Sequence, residues 1–441
     1  MNAHRKQLVS LACPVYCELL ASVAAGIINT VWVSRLGGPA VAAVAVATTT
    51  ENVLLGVALV FGTGTTVLVA HARGAEDSGA VRAAVRGGWA LWALVTPVVV
   101  GAGFLLREPL ARLVLGGGEG AALPLAVAYF AISMPGMTVF FAQNLVDGVL
   151  KGTGDTGTPM RLALLANGLI LVCDPFLIRL YGVQGAAACT VLCRCVTLGV
   201  ALLALRRNTL LRQCAGVRPA EGTGAALRRT LRTGLPLSAD FTVRQAGALA
   251  LVGIVARLGV TAVAAYAIAY KVMYVATMAF YAVRQAAAIH TAHTRGAGRD
   301  ARRAIGRQAV LVSGSVGFVA AVLLAGTAPW IMAAFGPGPD VVHDGVLFLR
   351  CVGPYLVVMA CHIALGGVFE GSGSAPVLLR VTLLGTAVQL PLAYAFTGLG
   401  LPGVCLALAL AMAVQAGVVL VLFRRTGPAQ EDADASLARA A

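Results

Sequence analysis

Apolar residues run along this chain in stretches of about 20–30 separated by short polar gaps, and an α-helix needs that length to cross a bilayer. Twelve spans are predicted, at 8–34, 40–72, 82–106, 122–150, 158–180, 183–205, 230–256, 262–289, 305–333, 342–369, 376–397 and 401–423. Several are longer than a bilayer requires, which predicts tilt or protrusion. Glycine and proline inside them do not argue against helix, because bilayer helices tolerate both. Lys and Arg in the gaps set the orientation. With the N-terminus inside, 23 of them, from Arg5 and Lys6 to Arg425 and Arg439, fall on the cytoplasmic side, against five outside: Arg35, Arg107, Arg112, Arg179 and Arg257. Both termini are therefore expected in the cytoplasm, with an even number of spans.

The pattern repeats. Residues 35–47, RLGGPAVAAVAVA, match 257–269, RLGVTAVAAYAIA, at nine of thirteen positions with an offset of 222. The same offset carries Pro14 onto Pro236 and Glu18 onto Asp240. KGTGDTGTP at 151–159 then resembles EGSGSAP at 370–376, and GVQG at 182–185 resembles GLPG at 400–403. Each repeat holds six spans, so both halves enter the membrane the same way. The expected fold is an all-α integral membrane protein: twelve transmembrane helices in two six-helix bundles, related by a pseudo-two-fold axis along the membrane normal. The expected division is an N-lobe at 1–206, a cytoplasmic linker at 207–229, a C-lobe at 230–424 and a disordered tail at 425–441.

Composition agrees: 59% of the residues are apolar and only 12% charged, too few charges to cover a soluble protein of this length. The net charge of +15 lies mostly in the gaps between spans, which fits a membrane protein and not a nucleic-acid binder. Thirty Arg against three Lys looks like a GC-rich coding bias, which makes each Arg less telling. The ten cysteines sit mostly in apolar segments without zinc spacing and read as packing residues; no metal site is expected. Residues 1–6 lead into a long apolar stretch with no small-residue cleavage site, so the first helix is expected to be retained.

KGTGDTGTPM after the fourth span, CDPFLI within the fifth, VWVSRLGG at the end of the first and EGSGSAP in the second half resemble the multidrug and toxin extrusion (MATE) transporters. The resemblance covers about 8–424. It implies export of cationic or amphipathic small molecules in exchange for protons or sodium, without ATP. No GxxxxGK[ST] loop occurs, and no cofactor is expected.

Ionisable residues in lipid are costly and so mark functional positions. Inside the spans lie the acids Glu18, Glu51, Asp147, Asp174 and Asp240, with Glu370 at an edge, and the bases Arg194, Arg244, Lys271, Arg284 and Arg350. The first half holds four acids and one base, which points to an N-lobe cation or proton site. Asp174 is the leading candidate: it lies roughly 22 Å along its helix from the cytoplasmic side, at 1.5 Å per residue, and matches the acid of the family's DPxxI element. An Asp satisfied by neighbouring hydroxyls, or a helix-kink acid before Pro175, is the alternative. Glu18 is the second ion-coupling candidate, and its repeat mate Asp240 is a second gating acid or the i,i+4 partner of Arg244. Glu51 and Lys271 are candidates for a pair across the cleft or a substrate contact; snorkelling is the alternative. Lys151 and Glu370, repeat-equivalent and opposite in charge, are gate candidates. Tyr266 and Tyr270, with Tyr16, Trp32, Phe140, Phe141 and Tyr274, are candidates for an aromatic wall, or for packing and an interfacial belt. His362 is either a proton relay or a core histidine.

Where relatives commonly carry an Asp in the first span, this chain has Asn29, itself a substrate-cleft candidate, and Ile170 replaces the Asn four residues before Asp174. At the C-lobe acids of the sodium-coupled branch stand Arg244 and Met359. Coupling to protons is therefore favoured over sodium. The expectation is a proton-coupled antiporter, monomeric, multi-pass in the cell (inner) membrane, working by alternating access. A flippase for a lipid-linked or amphiphilic substrate is the alternative, and no nucleophile–base set or HExxH motif points to an enzyme.

Overall fold

Long apolar runs without strand-like alternation dictate helix. The computed structural model describes residues 3–115, 122–214, 216–335 and 338–425, and those residues form helices with no strand among them. The helices of the first half are α1 (Ala3–Ser34), α2 (Gly38–Gly74), α3 (Ser78–Leu105), α4 (Arg107–Val114), α5 (Ala122–Gly152), α6 (Gly157–Arg207) and α7 (Thr209–Cys214). The second half holds α8 (Thr223–Val255), α9 (Val260–Gly296), α10 (Arg302–Ala334), α11 (Pro339–Cys351), α12 (Gly353–Gly371), α13 (Ala375–Ala395) and α14 (Gly400–Arg425).

Among the described residues, ten helical runs are long and apolar enough to cross a membrane, and two of them, Gly157–Arg207 and Ala375–Arg425, are 51 residues long. At about 1.5 Å per residue such a run spans roughly 77 Å, far beyond a hydrocarbon core of about 30 Å. Each is interrupted by a glycine in a backbone conformation closed to other residues: Gly182 has φ 59° and ψ −133°, and Gly400 has φ 67°. Each run is therefore two crossings, which makes twelve among the described residues. The predicted span 342–369 is not one helix. It breaks at Val352, between α11 and α12, where Pro354 lacks an N–H and its ring excludes the carbonyl of Arg350.

The chain forms two compact units. The first is Cys17–Ser238; the second is Met1–Tyr16 with Ala239–Ala441. This differs from the division expected from sequence. The segment 207–229 contains α7 and the start of α8, and it packs on the first unit. Ala220 donates to the carbonyl of Gly79 at 3.1 Å, and Arg86 bonds the Thr223 hydroxyl at 2.8 Å. Further along α8, the Ser238 hydroxyl donates to the carbonyl of Gly56 at 2.6 Å. The first turns of α1 belong instead to the second unit, where His4 Nδ1 meets His290 Nε2 at 2.9 Å. Of the predicted tail, 426–441 lies outside the described residues.

The duplication is written into the backbone. Left-handed residues occur at Gly37 and Gly259, Glu76 and Gly298, Gly154 and Gly373, and Gly182 and Gly400, each pair at matching places in the two repeats. Arg73, at the end of α2, donates to the carbonyl of Thr153; its repeat mate Arg295 donates to the carbonyl of Ser372. Both arginines thus fasten the turn that follows α5 or α12. Helix crossings repeat as well: a Cβ on Gly148 would lie 2.5 Å from the carbonyl oxygen of Gly62, and one on Gly367 would lie 2.2 Å from that of Arg284. The α2–α5 and α9–α12 backbones meet so closely at these points that no side chain fits between them.

Candidate functional site

Asp174 lies on α6, one residue before Pro175, and is fully buried. Its Oδ2 accepts a hydrogen bond from Asn29 Nδ2 on α1 at 2.9 Å, and the Cys189 thiol neighbours the carboxyl. Oδ1 is buried without a hydrogen-bond partner among the described residues. A buried carboxylate with one bonded oxygen is costly in its charged form, which makes the group suited to taking up a proton or another positive charge. Buried Tyr129 on α5 is close enough to Glu51, Arg194 and Asp174 for their charges to act on it. Tyr129 itself packs in an apolar cluster with Val33, Ala43, Phe130, Ile178 and Val183. The acid, the amide and the phenol thus border an apolar core contributed by α1, α2, α5 and α6.

A second group lies in the same unit. Glu18 Oε1 accepts from Lys151 Nζ at 2.8 Å, with both side chains mostly buried. Asp147, one helical turn before Lys151 on α5, lies within electrostatic reach of Lys151 and Glu18. Glu51 has Arg194 as its electrostatic neighbour within the unit, and the Arg194 guanidinium lies over the Phe140 ring at 4.5 Å. Phe141 packs edge-on to Phe61 in the core.

The second unit holds a closed charge network. Asp240, fully buried on α8, accepts from Thr382 on α13 through Oδ1. Its Oδ2 accepts from Arg244 and, at 3.3 Å, from Arg284 on α9. Arg284 also donates through Nε to Glu370 on α12 at 3.0 Å. Two acids meet two guanidinium groups, and four helices are tied together at one point. The i,i+4 pair Asp240–Arg244 is therefore present, with Arg284 and Thr382 added to it. The electrostatic neighbours of His362 are Arg284, Arg244 and Asp240.

The gate candidates Lys151 and Glu370 each hold a partner within their own unit, Glu18 and Arg284. Lys271 is exposed. Of the tyrosine stripe, Tyr266 is buried against Phe348, while Tyr270 and Tyr274 are exposed, with centroids 6.5 Å apart. Met359 is a core residue. Sequence reasoning did not reach the role of Arg284 as the link between Asp240 and Glu370, the Lys151–Glu18 bond, or the place of Tyr129. The signal for Arg284 was its position as a base deep in an apolar span.

Two blocks of the chain, residues 14–176 and 236–395, match the MatE family model. The probable multidrug resistance protein YpnP of Bacillus subtilis is 24% identical over 401 residues, covering 89% of this chain and 88% of YpnP. The probable multidrug resistance protein NorM of Thermotoga maritima is also 24% identical, over 399 residues, covering 88% and 85%. Among solved structures, a MATE protein crystallised in complex with MaL6 superposes with a TM-score of 0.89 at 23% identity, covering 96% of each chain.

Proposed function

This chain belongs to the MatE family of multidrug efflux transporters, and from that premise we propose that it exports cationic or amphipathic small molecules in exchange for protons. The observation that carries this reading is the contrast between the two units. In the first, Asp174 is buried with an uncommitted oxygen beside Asn29. In the second, both oxygens of Asp240 are engaged, and Arg244 and Arg284 balance Asp240 and Glu370. A carboxylate already neutralised by guanidinium groups has little to gain from an incoming cation, whereas a buried carboxylate without a counter-charge gains most.

The proton is favoured over sodium because Arg244 and Met359 stand where the resemblance places the acids of the sodium-coupled branch; Asn29 donates its amide N–H to Asp174, a neutral partner that suits a carboxyl that gains and loses hydrogen. The sequence of events is competition: protonated Asp174 releases the exported cation outside, and the deprotonated form accepts the next one from inside. Two bundles rocking between inward- and outward-open states deliver the site to each side, because loading changes their relative stabilities. The chain acts as a monomer, needs no cofactor, and lies in the cell (inner) membrane with both termini in the cytoplasm. A flippase would draw on the bases of the second half to hold a phosphate head group; Arg244 and Arg284 are already committed to acids, which makes it the weaker reading.

Dye accumulation in proteoliposomes, with proton and sodium gradients imposed separately, tests the proposal. Uphill dye movement driven by protons and absent with sodium supports it. Sodium-driven movement without a proton requirement overturns the coupling assignment.

A further inference from the structure

Glu18, Lys151 and Asp147 form a charge-unbalanced group in the first unit. Lys151 bonds Glu18 Oε1 at 2.8 Å. Asp147 is on the same face of α5 one turn earlier, and Lys151 and Glu18 are the charged groups that act on it. Glu18 Oε2 and Asp147 Oδ1 are both buried with no hydrogen-bond partner among the described residues. One ammonium therefore serves two buried carboxyl groups. Both acids cannot be ionised there without leaving a net negative charge out of water, which is strongly disfavoured.

The repeat shows what is missing. Glu18 corresponds to Asp240, and Lys151 to Glu370; Asp147 falls at the place of Gly366. In the second unit, a Cβ on Gly366 would stand 3.7 Å from the Arg284 guanidinium. Where the second unit puts a cation, the first unit puts the Asp147 carboxyl. The second unit's network balances itself, and the first unit's lacks one positive charge.

We propose that Asp147 is a second proton-binding residue, sharing Lys151 with Glu18 so that the ammonium holds one acid ionised while the other carries the proton. Lys151 is on Glu18 in the arrangement seen, which on this proposal assigns the proton to Asp147. Lys151 hands one ammonium proton to Glu18 as it turns away, and the amine takes the Asp147 proton in return, so the ammonium is restored beside an ionised Asp147 with no net change of charge. This places a proton relay between α1 and α5 at the cytoplasmic half of the first unit. It deepens the proton-coupled reading and rests on it.

The test is labelling with dicyclohexylcarbodiimide, which reacts with protonated carboxyl groups in apolar surroundings, followed by peptide mass mapping of the intact protein in detergent from acid to alkaline pH. At neutral pH the wild type labels at Asp147 and not at Glu18. Glu18→Gln frees Lys151 to pair with Asp147, so labelling at Asp147 is lost. Lys151→Met removes the shared ammonium, so both acids label. Absence of label at Asp147 in the wild type, or undiminished label in Glu18→Gln, overturns the proposal. The two variants are read independently, so if one does not purify as a folded protein the other decides. Labelling needs neither a gradient nor a transported compound, so it stands or falls separately from dye export.

Discussion

Replacing Arg284 with Met separates a structural network from a transport site. The Arg284 side chain is 9% exposed and bridges Asp240 at 3.3 Å and Glu370 at 3.0 Å. Met keeps much of the volume and removes the charge, leaving Glu370 without its guanidinium partner and Asp240 with Arg244 alone. Removing one member of a buried ion pair costs about 3–5 kcal/mol, because the charge left behind stays desolvated. For a unit of this size, each kcal/mol corresponds to about 2–4 °C in melting temperature, so the variant should melt roughly 6–20 °C lower. The loss should shrink at acid pH, where protonation removes the orphaned charge, and adding Glu370→Gln should restore much of it, since neutralising both partners costs far less than removing one. Thermal melts of purified wild type, Arg284→Met and the double variant, at neutral and acid pH, provide the assay. A change below about 1 kcal/mol, the scale of a surface pair, or a double variant no more stable than the single one, would refute the closed-network reasoning.

Other consequences are local. Gly148→Val and Gly367→Val place a Cβ 2.5 and 2.2 Å from backbone oxygens of the facing helix; each should lower the yield of folded protein and cost at least about 1–3 kcal/mol, checked by melting temperature. Asp300, between α9 and α10, accepts two bonds from the Arg302 side chain at 2.7 and 2.6 Å, and these hold its carboxyl below the usual carboxylate range. That pairing contributes stability above the ordinary carboxylate range and loses it as pH falls through the lowered value. Because Asp300 is over one-third exposed, the contribution stays within about 1 kcal/mol; Asp300→Asn should make stability slightly less dependent on acid pH in melts across that range.

The crossings were legible because bilayer length and apolar runs coincide, and the Gly182 and Gly400 breaks were visible as the matching GVQG and GLPG segments. The break at Val352 was not, since Pro354 is one of many prolines tolerated inside spans. Among the site residues, Asp240–Arg244 could be read from its i,i+4 spacing. The bonds Glu18–Lys151 and Asp240–Arg284 join residues 133 and 44 positions apart, for which no periodicity gives a signal. Chemistry marked Glu18, Lys151, Asp240 and Arg284 as costly in lipid; only the folded chain, which sets Lys151 against Glu18 and Arg284 against Asp240, says which neutralises which. Tyr129 gives no signal because a tyrosine in an apolar run reads as core, and it is core, with Asp174 and Glu51 within electrostatic reach of its phenol. The affiliation of Met1–Tyr16 with the second unit had no counterpart in the sequence pattern, where α1 is continuous.

Asp174→Asn removes the proposed coupling carboxyl and little else. Asn keeps the size and hydrogen-bonding capacity of Asp174 but neither ionises nor carries an exchangeable acid proton. In proteoliposomes, the variant should lose proton-driven accumulation of a cationic dye while its folded yield and melting temperature stay close to wild type. Uphill, proton-driven accumulation by Asp174→Asn at the wild-type rate would contradict the account and move the coupling site away from the Asn29–Asp174 pair.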